Sequence, residues 1–120
     1  MPPSNRVPTV VLVRDLIFAT KISATARAME APVRMLRDPA LLTTATEARL
    51  IVDLNLPGAV EAAAAWKHRT GGEVTGFVSH VDGPTILAAR AAGLDRIMPR
   101  SQFVIALEEL LAGQIDGERV

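Results

Sequence analysis

Val10-Val11-Leu12-Val13 and Leu50-Ile51-Val52 are runs of branched apolar residues with no polar position between them. A strand with one wet face alternates apolar and polar side chains. A strand without alternation is covered on both faces, as the inner strands of a parallel sheet are when helices pack on either side. The second run ends in Asp53 and continues into Leu54-Asn55-Leu56-Pro57-Gly58, so a carboxylate emerges at the carboxyl end of a buried strand just where the chain turns. In open α/β sheets, ligands and chemistry gather at those ends. A lone Asp ahead of Asn-x-Pro-Gly also serves plain turn formation, and the motif by itself leaves both roles open.

The rest of the chain alternates in the same way. The first strand, Thr9 to Val13, delivers Arg14 and Asp15 to its end, and Phe18, Ile22, Ala26 and Met29 then recur at helical spacing over Leu16 to Glu30, with Pro32 as a stop. Val33-Arg34-Met35-Leu36-Arg37 alternates apolar and basic residues, which suits a half-wet edge strand. Asp38-Pro39 is a cap followed by a proline at the first helical position, so a short helix is expected from Ala40 to about Glu47, weakened by Thr43-Thr44-Ala45-Thr46. Ala59 to His68 is alanine-rich and helical, and Gly71-Gly72 ends it. Val74 to Val78 is a fourth strand ending on Ser79 and His80, and Asp82-Gly83-Pro84 leads into a helix from Thr85 to Ala92. Arg96-Ile97-Met98 is a brief fifth strand. The last helix carries Phe103, Ala106, Leu107, Leu110 and Leu111 on one stripe, with Ser101 as its expected cap.

Composition narrows the function classes. Lys plus Arg and Asp plus Glu number 13 each among 120 residues, so no net field recruits nucleic acid or an anionic membrane. Cysteine is absent, which rules out thiolate zinc sites and cysteine nucleophiles and fits a reducing compartment. The apolar runs have strand length, and Met-Pro-Pro-Ser-Asn-Arg does not resemble a cleaved signal segment, so a cytoplasmic location is expected. One domain over 1–120 is expected, with loose ends at 1–7 and 114–120.

Strands alternating with helices, without repeat or linker, predict a flavodoxin-like, doubly wound α/β fold: a five-stranded parallel sheet in the order 2-1-3-4-5 with helices on both faces. In that order the switch point lies between the first and third strands, where Asp15 and Asp53 face each other, and Ser79 arrives from the fourth strand.

At these residues the chain resembles the receiver domains of bacterial two-component response regulators, the CheY-like family, which are phosphorylated on an aspartate by a histidine kinase. Asp53 in Val-Asp-Leu-Asn-Leu-Pro-Gly resembles the phospho-acceptor and its loop. Asp15 falls where a metal-binding acid follows the first strand, and Ser79 stands at the hydroxyl position ending the fourth. Gly93-Leu94-Asp95-Arg96-Ile97-Met98-Pro99-Arg100-Ser101 runs without a gap along the family's Gly-Ala-Asp-Asp-Tyr-Leu-x-Lys-Pro. The resemblance implies a magnesium site at Asp15, Asp53 and the backbone carbonyl of Asn55, with Arg100 in place of the lysine. It implies no enzyme beyond autophosphorylation and dephosphorylation of Asp53. The implied partners are a histidine kinase or a downstream target, met through the face from 84 to 111, which also offers a homodimer contact. That expectation rests on a last-helix stripe wider than one sheet face needs.

Three departures shape the functional expectation. Arg14 replaces the usual acid beside Asp15 and opposes a divalent ion, so weak Mg2+ binding is expected. Arg100 replaces a compact ammonium with a planar fork. Ile97 replaces the aromatic switch residue, and Ser101 the proline. The expected function is a stand-alone, receiver-like signalling domain with Asp53 as candidate acceptor in a degenerate site. Competing readings are Asp15 as a mere helix cap, Arg14 and Arg100 as ion-pair partners of Asp15 and Asp53, His80 as a loop residue or gatekeeper, and a flavodoxin-like small-molecule or nucleotide-binding domain. No glycine-rich phosphate loop follows the first strand, and aromatic residues make up only 3%, which counts against that last class. His68 suits a helix end, and Trp66 suits packing.

Overall fold

The computed structural model describes residues 7–79 and 82–112. His80, the leader through residue 6 and the tail from 113 lie outside the described residues. Strands β1 (Thr9–Leu12), β2 (Val33–Leu36), β3 (Arg49–Asp53), β4 (Glu73–Val78) and β5 (Arg96–Pro99) form one sheet in the order β2-β1-β3-β4-β5, every neighbouring pair parallel. Helices α1 (Leu16–Ala28), α2 (Ala59–Thr70), α3 (Gly83–Ala91) and α4 (Arg100–Ala112) complete it. The expected topology is the observed one.

The unbroken apolar runs behave as their composition requires. Val10, Leu12, Leu50 and Val52 point to one face, where they meet Ala59, Ala63 and Trp66 of α2, Ala89 of α3 and Leu42. Val11, Val13 and Ile51 point to the other, against Phe18, Ile22 and Ala26 of α1 and Phe103, Leu107, Leu110 and Leu111 of α4. Side chains alternate across a strand, so each run feeds two cores and can spare no polar position. On β2, at the sheet edge, only Leu36 is buried, and Arg34 reaches Glu47 with Nε 2.6 Å from Oε2.

Three expectations are corrected. The helix expected from Ala40 to about Glu47 is a 3-10 helix over Pro39–Thr44. Asp38 caps it by accepting from the Ala40 N–H, and Arg69 of α2 donates to the carbonyls of Leu42 and Ala45, taking the first acceptor that another α-helical turn would use. Ser101 is not the cap of α4, because β5 passes into the helix without a loop and the helix already includes Arg100. Nor is the α4 stripe in excess: Phe103, Leu107, Leu110 and Leu111 are all buried against the sheet and α1.

Among the described residues no helix is long and apolar enough to cross a membrane.

Candidate functional site

The register places the site. Leu12 lies opposite Val52 and Asp53 opposite Phe77, so the chain leaving β1 at Asp15, β3 at Asp53 and β4 at Ser79 comes off the same edge of the sheet. Arg100 joins them from the end of β5.

Asp15 sits in extended backbone just before α1, and its Oδ1 accepts from the N–H groups of Ile17 at 3.0 Å and Phe18 at 3.1 Å. It is thus the helix cap that one reading expected. Its other oxygen, Oδ2, lies 3.4 Å from Nη2 of Arg100. The Phe18 N–H, more than the Arg100 charge, holds the Asp15 carboxyl below the usual carboxylate range, against an opposing effect of desolvation.

Arg100 reaches across the ends of β4 and β3. Nη1 is 3.4 Å from the Ser79 hydroxyl, and Cζ lies 3.8 Å from the centre of the Phe18 ring. That ring is itself braced edge-on by Phe77 and Phe103, which stack on each other at 4.7 Å. Both members of the Arg100–Asp15 pair are partly exposed, 32% and 45% by side chain, so solvent screens it, and the ring beneath the guanidinium helps hold the cation in place.

Asp53 is half-buried, with Oδ1 accepting from the Asn55 N–H at 3.0 Å. The Asn55 side chain spans the gap to β4, its Oδ1 accepting from the Ser79 N–H at 2.6 Å. The loop after β3 is thereby tied to the loop after β4. Arg14, one of the two arginines expected as ion-pair partners, is exposed; among the described residues it enters no ion pair, and its carbonyl accepts a 3.4 Å bond from Arg37. The cation at Asp15 is Arg100. Two contributors escaped the sequence reading: Phe18, absorbed into the core stripe of α1, and the Asn55 side chain, considered only for its carbonyl.

A divalent ion needs several oxygen ligands. Asp15 has one oxygen engaged by two backbone N–H groups and the other facing a guanidinium. Among the described residues no three acidic or histidine side chains gather closely enough to hold a metal. Both oxygens of Asp15 are thus already engaged, which opposes a divalent cation at that residue.

No protein-family model matches the chain, and no curated protein sequence does so significantly. Solved structures do. The signal receiver domain of the response regulator NarL from Mycobacterium tuberculosis matches with a TM-score of 0.76 at 16% identity, over 97% of this chain and 100% of that one. A phosphorylated cyanobacterial phytochrome response regulator, RcpA, matches at 0.72 and 14%, over 89% of each chain. The Mn2+-bound form of the response regulator Rcp1 matches at 0.70 and 13%, over 89% of this chain and 90% of that one. The fold is that of CheY-like receiver domains.

Proposed function

We propose that the chain is a receiver-like signalling domain whose acceptor is Asp53 and whose site transfers phosphate slowly. The observation that carries this reading is the meeting of Asp15, Asp53, Ser79 and Arg100 at one sheet edge, beside the switch point between β1 and β3. In the step envisaged, an Asp53 oxygen attacks the phosphorus of a donor, the donor's bond to phosphorus breaks (P–O in acetyl phosphate, P–N in a phosphohistidine), and the leaving group departs with that electron pair. The guanidinium of Arg100 and the hydroxyl of Ser79 face the charge that builds on the phosphoryl oxygens.

Phosphoryl transfer leaves little covalent work to the protein, so its rate follows positioning and charge neutralisation. Losing one well-placed electrostatic group costs roughly 3 kcal/mol, which is about a hundredfold in rate. A signal leaves through contacts rather than turnover, through the face formed by α3, β5 and α4, toward a kinase or a downstream protein.

The test is incubation with acetyl phosphate and magnesium, followed by intact mass. Slow labelling that vanishes in Asp53→Asn is the expected result. Labelling that persists in Asp53→Asn overturns the acceptor assignment, and rapid magnesium-dependent labelling of the unmodified protein overturns the slow site.

A further inference from the structure

Arg100 is held in the acidic site by more than charge. Its guanidinium contacts Asp15 and Ser79 at 3.4 Å each and sits over Phe18 with Cζ 3.8 Å from the ring centre. Phe18 cannot easily retreat, being 4% exposed and backed by Phe77 and Phe103. Asp15 is fixed from its other oxygen by the cap of α1. Arg100 has little backbone slack either, because it is the first residue of α4 and directly follows the last residue of β5. A planar fork with a π-face can occupy such a place, whereas a lysine ammonium makes only point contacts.

We propose that Arg100 is the resident cation of this site, seated where a divalent ion would bind, and that it, rather than Arg14, is what keeps metal out. A positive charge within about 4 Å of a carboxylate repels an incoming dication, and the ion must also take Asp15 from its guanidinium partner. Arg14 lies next to Asp15 in sequence yet forms no ion pair among the described residues. The inference deepens the receiver-like reading of the site, but its test does not depend on that reading, since metal binding is measured without any phosphoryl donor.

The experiment is a Mn2+ titration of the full chain, read by electron paramagnetic resonance of the free ion, with unfolding curves confirming that each variant is folded. The unmodified protein is expected to bind in the millimolar range or weaker. Arg100→Gln, which keeps length and loses charge, is expected to bind about tenfold more tightly or better. Arg100→Lys, which loses the stack on Phe18, is expected to tighten several-fold and serves as the independent variant if Arg100→Gln does not fold. Arg14→Gln is expected to stay within about twofold of the unmodified protein. Adding Asp15→Asn to either Arg100 variant should abolish the gain. The proposal fails if neither Arg100 variant tightens binding, if Arg14→Gln tightens it as much as they do, or if the gain survives Asp15→Asn. Loss of acetyl phosphate labelling would bear on Asp53 alone and leave these outcomes readable.

Discussion

Arg49 and Leu110 stand 61 positions apart, and inside the protein the Arg49 guanidinium donates through Nη1 to the Leu110 carbonyl at 2.5 Å. The last turn of α4 has no basic residue of its own. A strand residue, 4% exposed, supplies that cation from across the core. Its Nε lies 3.1 Å from Glu73 Oε1, while Glu73 Oε2 accepts from Arg96 of β5 at 2.9 Å. The guanidinium thus joins the end of α4 to the first residues of β3 and β4.

Arg49→Ala is therefore expected to destabilise the fold by roughly 2–4 kcal/mol, because it strips a buried carbonyl of its donor and Glu73 of one partner. Arg49→Met combined with Glu73→Gln should recover much of that loss, since the pair's desolvation cost disappears with it. Urea denaturation of both variants checks this, and a single variant within about 0.5 kcal/mol of the unmodified protein would show the contact to be idle.

The adjacent glycines after α2 are expected to respond differently. Gly71 holds a φ of 73° with open space around it, so Gly71→Ala costs only the left-handed backbone, about 1 kcal/mol. A Cβ on Gly72 would lie 2.3 Å from the Trp66 ring and 2.7 Å from the Ala48 carbonyl oxygen, neither able to bend aside. Gly72→Ala should cost roughly 2–3 kcal/mol or more by the same assay. Equal losses in the two variants would refute this division of roles.

Acid sensitivity follows from carboxylates held down in the fold. Burial raises the Asp95 carboxyl, and the Val74 N–H with the Lys67 ammonium more than offsets it, so it titrates below its ordinary value. In Glu47 the hydrogen bond from Arg34 outweighs desolvation in the same direction. A depressed folded value stabilises above the unfolded value of about 4, and the contribution is lost as pH falls through the folded value. The melting temperature should be nearly level from about pH 7 to 5 and decline below about 4. Asp95→Asn should lower the plateau and shallow the acid limb; an unchanged profile would remove Asp95 from the account.

The face from 84 to 111 remains our proposed docking surface, now on different grounds. The α4 stripe is buried, but Leu87 of α3 is 66% exposed and Ile105 of α4 85% exposed. Leu87→Glu and Ile105→Glu are expected to weaken self-association or partner capture, measured by sedimentation at rising concentration, while leaving stability within about 0.5 kcal/mol. Association untouched by both changes would place the surface elsewhere.

Most of the fold was legible because it follows from burial. Val10 to Val13 and Leu50 to Val52 admit few arrangements, and the two-sided sheet they demand sets the order of everything between them. Asp15, Asp53 and Ser79 were legible as strand-end residues for the same reason, and Arg100 through the resemblance to receiver domains. Which of the two named arginines pairs with Asp15 was not. Arg14 is adjacent to Asp15 in sequence, whereas Arg100 comes from 85 positions away and is steered there by an aromatic ring that periodicity assigns only to the core. Likewise Arg69, which binds the carbonyls of Leu42 in the 3-10 helix and of its cap residue Ala45, gives no signal in the Thr-rich segment it shortens.

The sheet also divides the chromophores. Trp66, the single tryptophan in a chain without tyrosine, packs in the layer beneath α2 and α3, while Phe18, Phe77 and Phe103 share the opposite layer beneath α1 and α4. Ultraviolet emission from this molecule therefore comes from one side of a partition and the site's aromatic support lies on the other. Global unfolding exposes the indole and shifts its emission, whereas a rearrangement of Arg100 on Phe18 leaves that emission dark to the event. The protein thus carries an internal fluorescent gauge of its integrity that is insulated from the state of its acidic edge.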